Sequence, residues 1–97
     1  MSTEQVDTKQ PKFSLGRTVT TSNALDTLNP EDVLKAMARH HRGDWGDLCE
    51  EDRQANEQAL EHGGRLFSVY HDRAETKFYI ITEHDRSVTT VLLPEDY

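Results

Sequence analysis

Three runs decide the fold: Arg65-Leu66-Phe67-Ser68-Val69-Tyr70-His71-Asp72, Lys77-Phe78-Tyr79-Ile80-Ile81-Thr82-Glu83 and Ser87-Val88-Thr89-Thr90-Val91-Leu92-Leu93-Pro94. Each is rich in β-branched and aromatic residues, and a few polar residues separate one from the next. That is the pattern of an antiparallel meander. Successive side chains of a strand point to opposite faces. Phe67 and Val69 therefore oppose Leu66 and Tyr70, Phe78 and Ile80 oppose Tyr79 and Ile81, and Val88 and Leu92 oppose Val91 and Leu93. Both faces are partly apolar, so one receives helices and the other is a second small core or a contact surface.

Working outward, Asp72 to Thr76 and Glu83 to Ser87 read as hairpin turns, and Pro94 ends the last strand. Upstream, Phe13 to Thr21 has β character, with Gly16 marking a bend; it is a short edge strand or an extended lead-in. Ser22 or Asn23 caps a helical turn that ends near Leu28. Asn29-Pro30-Glu31-Asp32 is a stronger start signal: an Asx cap, Pro in the first helical position and two acids in the first turn. This helix runs to about Arg42, with Val33, Leu34, Met37 and Ala38 on one side, and Arg39 to Arg42 placing positive charge at its C-terminal end. Gly43 stops it.

Asp47 is placed to cap the next helix, from Leu48 to about His62, whose thin apolar stripe is Leu48, Ala55, Ala59 and Leu60. Gly63-Gly64 stops that helix. The expected fold class is α+β: a three- to four-stranded antiparallel meander packed by two or three helices. It forms a single domain over residues 13–97, preceded by a polar, disordered arm over residues 1–12.

A chain of 97 residues with 34% hydrophobic content builds one thin two-layer core. Its net charge of −7 argues against a partner bound through phosphates, and so against direct nucleic-acid binding and anionic membranes. The field favours a protein partner with a basic surface. Met1-Ser2-Thr3-Glu4 has no basic start and no apolar run follows, so no secretory signal is expected; no stretch reaches membrane length, and the lone Cys49 excludes an intramolecular disulfide. A cytoplasmic location is the expectation.

No stretch reaches a specific catalytic or cofactor motif. His40 and His41 are adjacent, so on a helix they point about 100° apart and do not share an ion easily. His71-Asp72 and His84-Asp85 flank successive turns and belong to opposite ends of the meander. Glu75-Thr76-Lys77 matches only half of a nuclease pattern and lacks a second carboxylate on a neighbouring strand. Cys49 and His62 sit about 20 Å apart along one helix, too far for a thiol–imidazole pair. No cofactor and no metal site is expected.

Charge is the informative feature. Between Asp44 and Glu61 stand Asp44, Asp47, Glu50, Glu51, Asp52, Glu57 and Glu61 against Arg53 alone. Helical acids at i and i+3 or i+4 lie about 5–6 Å apart, a spacing that could imitate a nucleic-acid backbone. Trp45, between Gly43 and Gly46, reads first as a core anchor and second as a binding hot spot beside Asp44 and Asp47.

The segments from Gly43 to Asp52 and from Ile80 to Tyr97 resemble a family of small bacterial proteins often labelled "plasmid-related". The likeness spans about Leu15 to Tyr97. It implies a bacterial, mobile-element setting and brings no activity that a residue could inherit. Small acidic proteins of that setting include inhibitors of host restriction and CRISPR systems.

Three expectations follow. The first is a non-enzymatic acidic module that occludes a basic site, using Asp44, Trp45, Asp47, Glu50, Glu51, Asp52, Glu57 and Glu61. The second is a small metal-assisted hydrolase or nuclease using His71, Asp72, His84 and Asp85. The third is a homodimer joined through an exposed sheet face.

Overall fold

The computed structural model describes residues 10–97, in the order β1 (Arg17–Thr20), α1 (Ser22–Thr27), α2 (Pro30–His41), α3 (Glu50–His62), β2 (Leu66–His71), β3 (Lys77–Thr82) and β4 (Val88–Leu92), closed by a 3-10 turn at Pro94–Asp96. The fold is α+β. The part of the expected 1–12 arm that precedes Gln10 lies outside the described residues.

The three C-terminal runs form the expected antiparallel pairs, β2 with β3 and β3 with β4. The sheet departs from a strict meander at β1, which joins the far side of β4 in parallel, giving the order β1-β4-β3-β2. Pairing sorts the side chains into two faces. Thr20, Val91, Ile80 and Ser68 make one cross-strand row, and Thr18, Thr89, Thr82 and Leu66 the row beside it. This face receives α1 and α2: Ala24, Leu28, Ala36, Tyr70, Phe78, Ile80, Val91 and Leu93 form one buried cluster, with Val33 and Met37 against it. The opposite face carries the row Val19, Thr90, Ile81 and Phe67. Tyr97, after the 3-10 turn, packs edge-on against Tyr79 of that face.

The caps follow from local chemistry. The Asn29 side chain accepts from the backbone N–H groups of Glu31 and Asp32, with Pro30 in the first turn, as the start signal requires. Thr21, rather than Ser22 or Asn23, caps α1 by accepting from the Ala24 N–H. Asp47 does not cap α3; Cys49 occupies that position and makes no side-chain cap bond.

The buried stripe of α2 is Val33, Ala36, Met37 and His40, while Leu34 is 72% exposed and Ala38 faces outward. Of the expected face Val33, Leu34, Met37 and Ala38, Val33 and Met37 are on the stripe, and the face as a whole is rotated by about 80°, so that Ala36 and His40 replace Leu34 and Ala38. His40 does not serve the helix dipole as a cation. It is fully buried, and burial pushes its pKa down to about 3.

Two glycines are required by close approach. Gly16 has φ 64°, and a Cβ there would lie 2.4 Å from the carbonyl oxygens of Arg86 and Ser87. It is the expected bend, and it presses the lead-in onto the β3–β4 turn. Gly46 has φ 75°, and a Cβ there would lie 2.0 Å from the Val69 carbonyl oxygen. The loop before α3 can lie against β2 only because position 46 has no side chain.

Candidate protein-interaction surface

The acidic segment is built on the outer edge of β2. Trp45 and Asp47 bridge to Val69: the Val69 N–H donates to the Trp45 carbonyl at 3.2 Å, and the Asp47 N–H to the Val69 carbonyl at 2.8 Å. Asn56 does the same for Phe67. Its Nδ2 donates to the Phe67 carbonyl at 2.7 Å and its Oδ1 accepts the Phe67 N–H at 3.1 Å. One amide side chain thus replaces a missing strand and closes the edge of the sheet. Asn56 is buried, with Ala59 and Leu60 partly buried near it; Ala55, expected in the stripe, is exposed.

Trp45 is 1% exposed, the core anchor of its first reading. Its ring stacks on Phe13 and meets His40 edge-on, and its Nε1 donates to Glu57 at 2.8 Å. It therefore positions the surface from beneath and offers almost no area to a partner.

Asp44 is matched by Arg39, which donates from Nε at 2.8 Å and from a terminal nitrogen at 3.1 Å. The Arg39 hydrogen bonds hold its carboxyl below the usual carboxylate range. Asp47 accepts from His71 Nδ1 at 2.8 Å. Glu50, Glu51, Asp52, Glu57 and Glu61 are all exposed. On the helical wheel Glu50, Glu57 and Glu61 fall within about 40° of one another, whereas Glu51 is about 100° and Asp52 about 160° from Glu50. The stripe extends over about 16 Å of helix axis, and Gln54 occupies the place where an even ladder would have its second acid. The structure therefore gives a negative flank rather than an evenly spaced row.

Arg53, the helix's only arginine, turns inward and donates to the Gly46 carbonyl at 2.6 Å. It tethers α3 to the loop and leaves the outer stripe without a guanidinium partner.

Arg86, in the β3–β4 turn at φ 60°, holds the other end of α3. It donates to the carbonyls of Ala59 at 3.0 Å, Gly64 at 2.6 Å and Glu83 at 3.1 Å. Asn56 and Arg86 position the surface, and sequence reading missed both. The available signals were an amide among Ala59 and Leu60 on a helix, and an arginine at the tip of a hairpin.

The alternative residues are not gathered. His71, the last residue of β2, pairs with Lys77 at one end of β3, and His84 lies past the other end of this strand of 6 residues, which spans about 17–20 Å. Asp72 is buried in its turn, and its oxygens accept from the backbone N–H groups of Asn29, Ala74 and Thr76. Burial works against its ionisation, yet these donors outweigh it and keep the carboxyl below its ordinary range. Asp85 accepts from the Ser87 N–H and hydroxyl. Among the described residues no group of three or more His, Cys, Asp or Glu side chains is disposed to hold a metal ion. Cys49 is exposed, at the opposite end of α3 from His62. No helix among the described residues is long and apolar enough to cross a membrane.

No family model, no curated protein and no solved structure matches this chain.

Proposed function

We propose that this chain is a non-enzymatic binding module whose α3 flank seats on a basic surface of a protein partner. Arg53 carries the proposal. Because it is spent on the Gly46 carbonyl, the exposed Glu50, Glu57 and Glu61 share one side of a 13-residue helix with no arginine among them, Glu57 keeping one oxygen on Trp45 Nε1. The net charge of −7 supports the same sign of partner. The kind of partner we favour is a nucleic-acid-targeting defence complex, because a groove that holds phosphates draws much of its affinity from Lys and Arg. Occupying it would block the complex without chemistry, as an anti-CRISPR or anti-restriction protein of a mobile element would.

The test is capture of partners from a bacterial lysate by the wild-type chain and by the Glu50→Gln, Glu57→Gln, Glu61→Gln variant in parallel. Glutamine keeps the acceptor that Trp45 needs and removes only charge. A partner that is lost in the variant, released by moderate salt and displaced by excess DNA or RNA supports the proposal. Partners that bind both chains equally at all salt concentrations overturn it.

A further inference from the structure

The two edges of the sheet are treated differently. The outer side of β2 is sealed by Trp45, Asp47 and Asn56, whereas no described strand pairs with the outer side of β1. The Arg17 N–H donates to the Ser87 carbonyl and the Thr21 N–H to the Val91 carbonyl, each at 3.0 Å, so the odd-numbered residues turn their backbone toward β4. Thr18 and Thr20 therefore aim their N–H and C=O groups outward. All four residues of β1 are exposed, Val19 at 37%. Beside the strand, on the helix-bearing face, an apolar groove is lined by Thr20, Ala24, Leu25, Leu28, Val33 and Leu34, among other residues. Leu25 and Leu34 are 69% and 72% exposed.

We propose that β1 pairs with β1 of a second copy, antiparallel about a two-fold axis at Val19, joining two four-stranded sheets into one continuous sheet. The outward backbone groups fix this register. Pairing Thr18 of each copy with Thr20 of the other engages both outward residues of both strands in hydrogen-bonded pairs; either neighbouring two-fold register leaves one of them outside the strand pair. The same register sets Arg17 opposite Thr21 of the second copy. Thr21 already donates its hydroxyl to Asp96 Oδ2 at 2.6 Å, so the opposing guanidinium meets a fixed carboxylate. The match occurs twice by symmetry, as an isologous contact requires. The strand thus carries its own complement: a cation two residues before the axis, an anion held two residues after it, and a valine on it. That self-complementarity selects a second copy over an unrelated extended peptide. The paired strand also closes the open side of the groove beside Thr20. Because β2 is the opposite edge, the α3 flanks remain at the two far ends, and this pairing neither needs nor tests the proposed partner.

The test uses the full chain with Cys49→Ser. Residues facing each other across a non-hydrogen-bonded antiparallel pair have Cα atoms about 4.5 Å apart, within disulfide range. Val19→Cys in that background should oxidise readily to a cross-linked dimer, whereas Thr20→Cys should not. Light scattering of the uncross-linked chain should approach twice 11.1 kDa as concentration rises. Val19→Lys, which places like charges at the axis, should weaken self-association at least tenfold with circular dichroism unchanged. A wild-type chain that stays monomeric at every concentration overturns the proposal. So does a dimer indifferent to Val19→Lys, or cross-linking that favours Thr20→Cys over Val19→Cys.

Discussion

His40 donates from Nε2 to Thr82 Oγ1 at 2.9 Å, and the direction of that bond is set two residues further along. The Leu15 carbonyl can only accept, so Thr89 donates to it at 2.7 Å. Thr82 must then donate to Thr89, also at 2.7 Å, which leaves the Thr82 oxygen to accept from His40. The other ring nitrogen, Nδ1, accepts from the Ser68 hydroxyl at 2.5 Å. A neutral imidazole with its proton on Nε2 satisfies every member of the chain.

Stability should therefore depend on acid. Burial holds the folded His40 near 3 against an ordinary value of 6.5. Between those values the unfolded chain binds a proton that the folded chain refuses. The stabilisation is complete above about pH 6.5 and falls as pH drops toward about 3, by roughly 3–5 kcal/mol over the window at about 1.4 kcal/mol per unit. Urea unfolding across pH should show this slope in the wild type, and it should be absent in His40→Leu. The lowered carboxyls of Asp44 and Asp72 contribute a further loss at the acid end, present in both chains.

Gly46→Ala should destabilise by more than about 3 kcal/mol, because strain at positive φ adds to a collision with the Val69 carbonyl. Gly63 is a matched control: its φ is 85° but a Cβ there meets open space. Gly63→Ala should cost about 1–3 kcal/mol, the conformational strain alone, because φ 85° with ψ 140° is a backbone region that only glycine adopts readily. Chemical denaturation of the two variants gives the difference directly. Equal losses would mean that the loop does not lie against β2.

Asn56→Leu should cost about 2–4 kcal/mol even though it adds apolar surface, since it orphans the N–H and C=O of Phe67 at the sheet edge. Thermal unfolding measures the loss. Hydrogen exchange should show the Phe67 amide deprotected ahead of its neighbours on β3.

Arg86→Ala should release the C-terminal end of α3 by removing donors to the carbonyls of Ala59, Gly64 and Glu83. The expected loss is about 2–3 kcal/mol. Arg86→Lys should recover only part of it, because a single ammonium does not reproduce the guanidinium fork. Amide exchange in α3 is the readout, with the Gly63 N–H, which donates to the Ala59 carbonyl at 2.9 Å, expected to accelerate most.

Much of the fold was legible because it is locally encoded. The strand period of two sorted Phe67, Tyr79, Ile80 and Val91 onto their faces, and Asn29-Pro30 marked the start of α2 by cap chemistry. The helix faces were less legible. On α2 the buried stripe runs through His40, and on α3 through Asn56, so an apolar count placed Leu34 and Ala55 inward when both point outward. A polar residue is buried when a partner awaits it, and those partners, Ser68, Thr82 and the Phe67 backbone, lie 28, 42 and 11 positions away. The acidic residues were visible as a set. Which of them are paired, supporting or outward was not, because Arg39, His71 and Trp45 reach them through space.

By itself the sequence determined that three strands form, that helices precede them, and that the chain carries a strong negative charge. These depend on side-chain period, cap chemistry and composition, which act over a few residues or over the whole chain at once. The tertiary structure alone decided that β1 runs parallel beside β4 as an outer strand among the described residues, that Asn56 seals the other edge, and that Arg53 turns away from the acids around it. Each is a hydrogen-bond match between groups that meet only once the chain has folded, and no local preference specifies such a match.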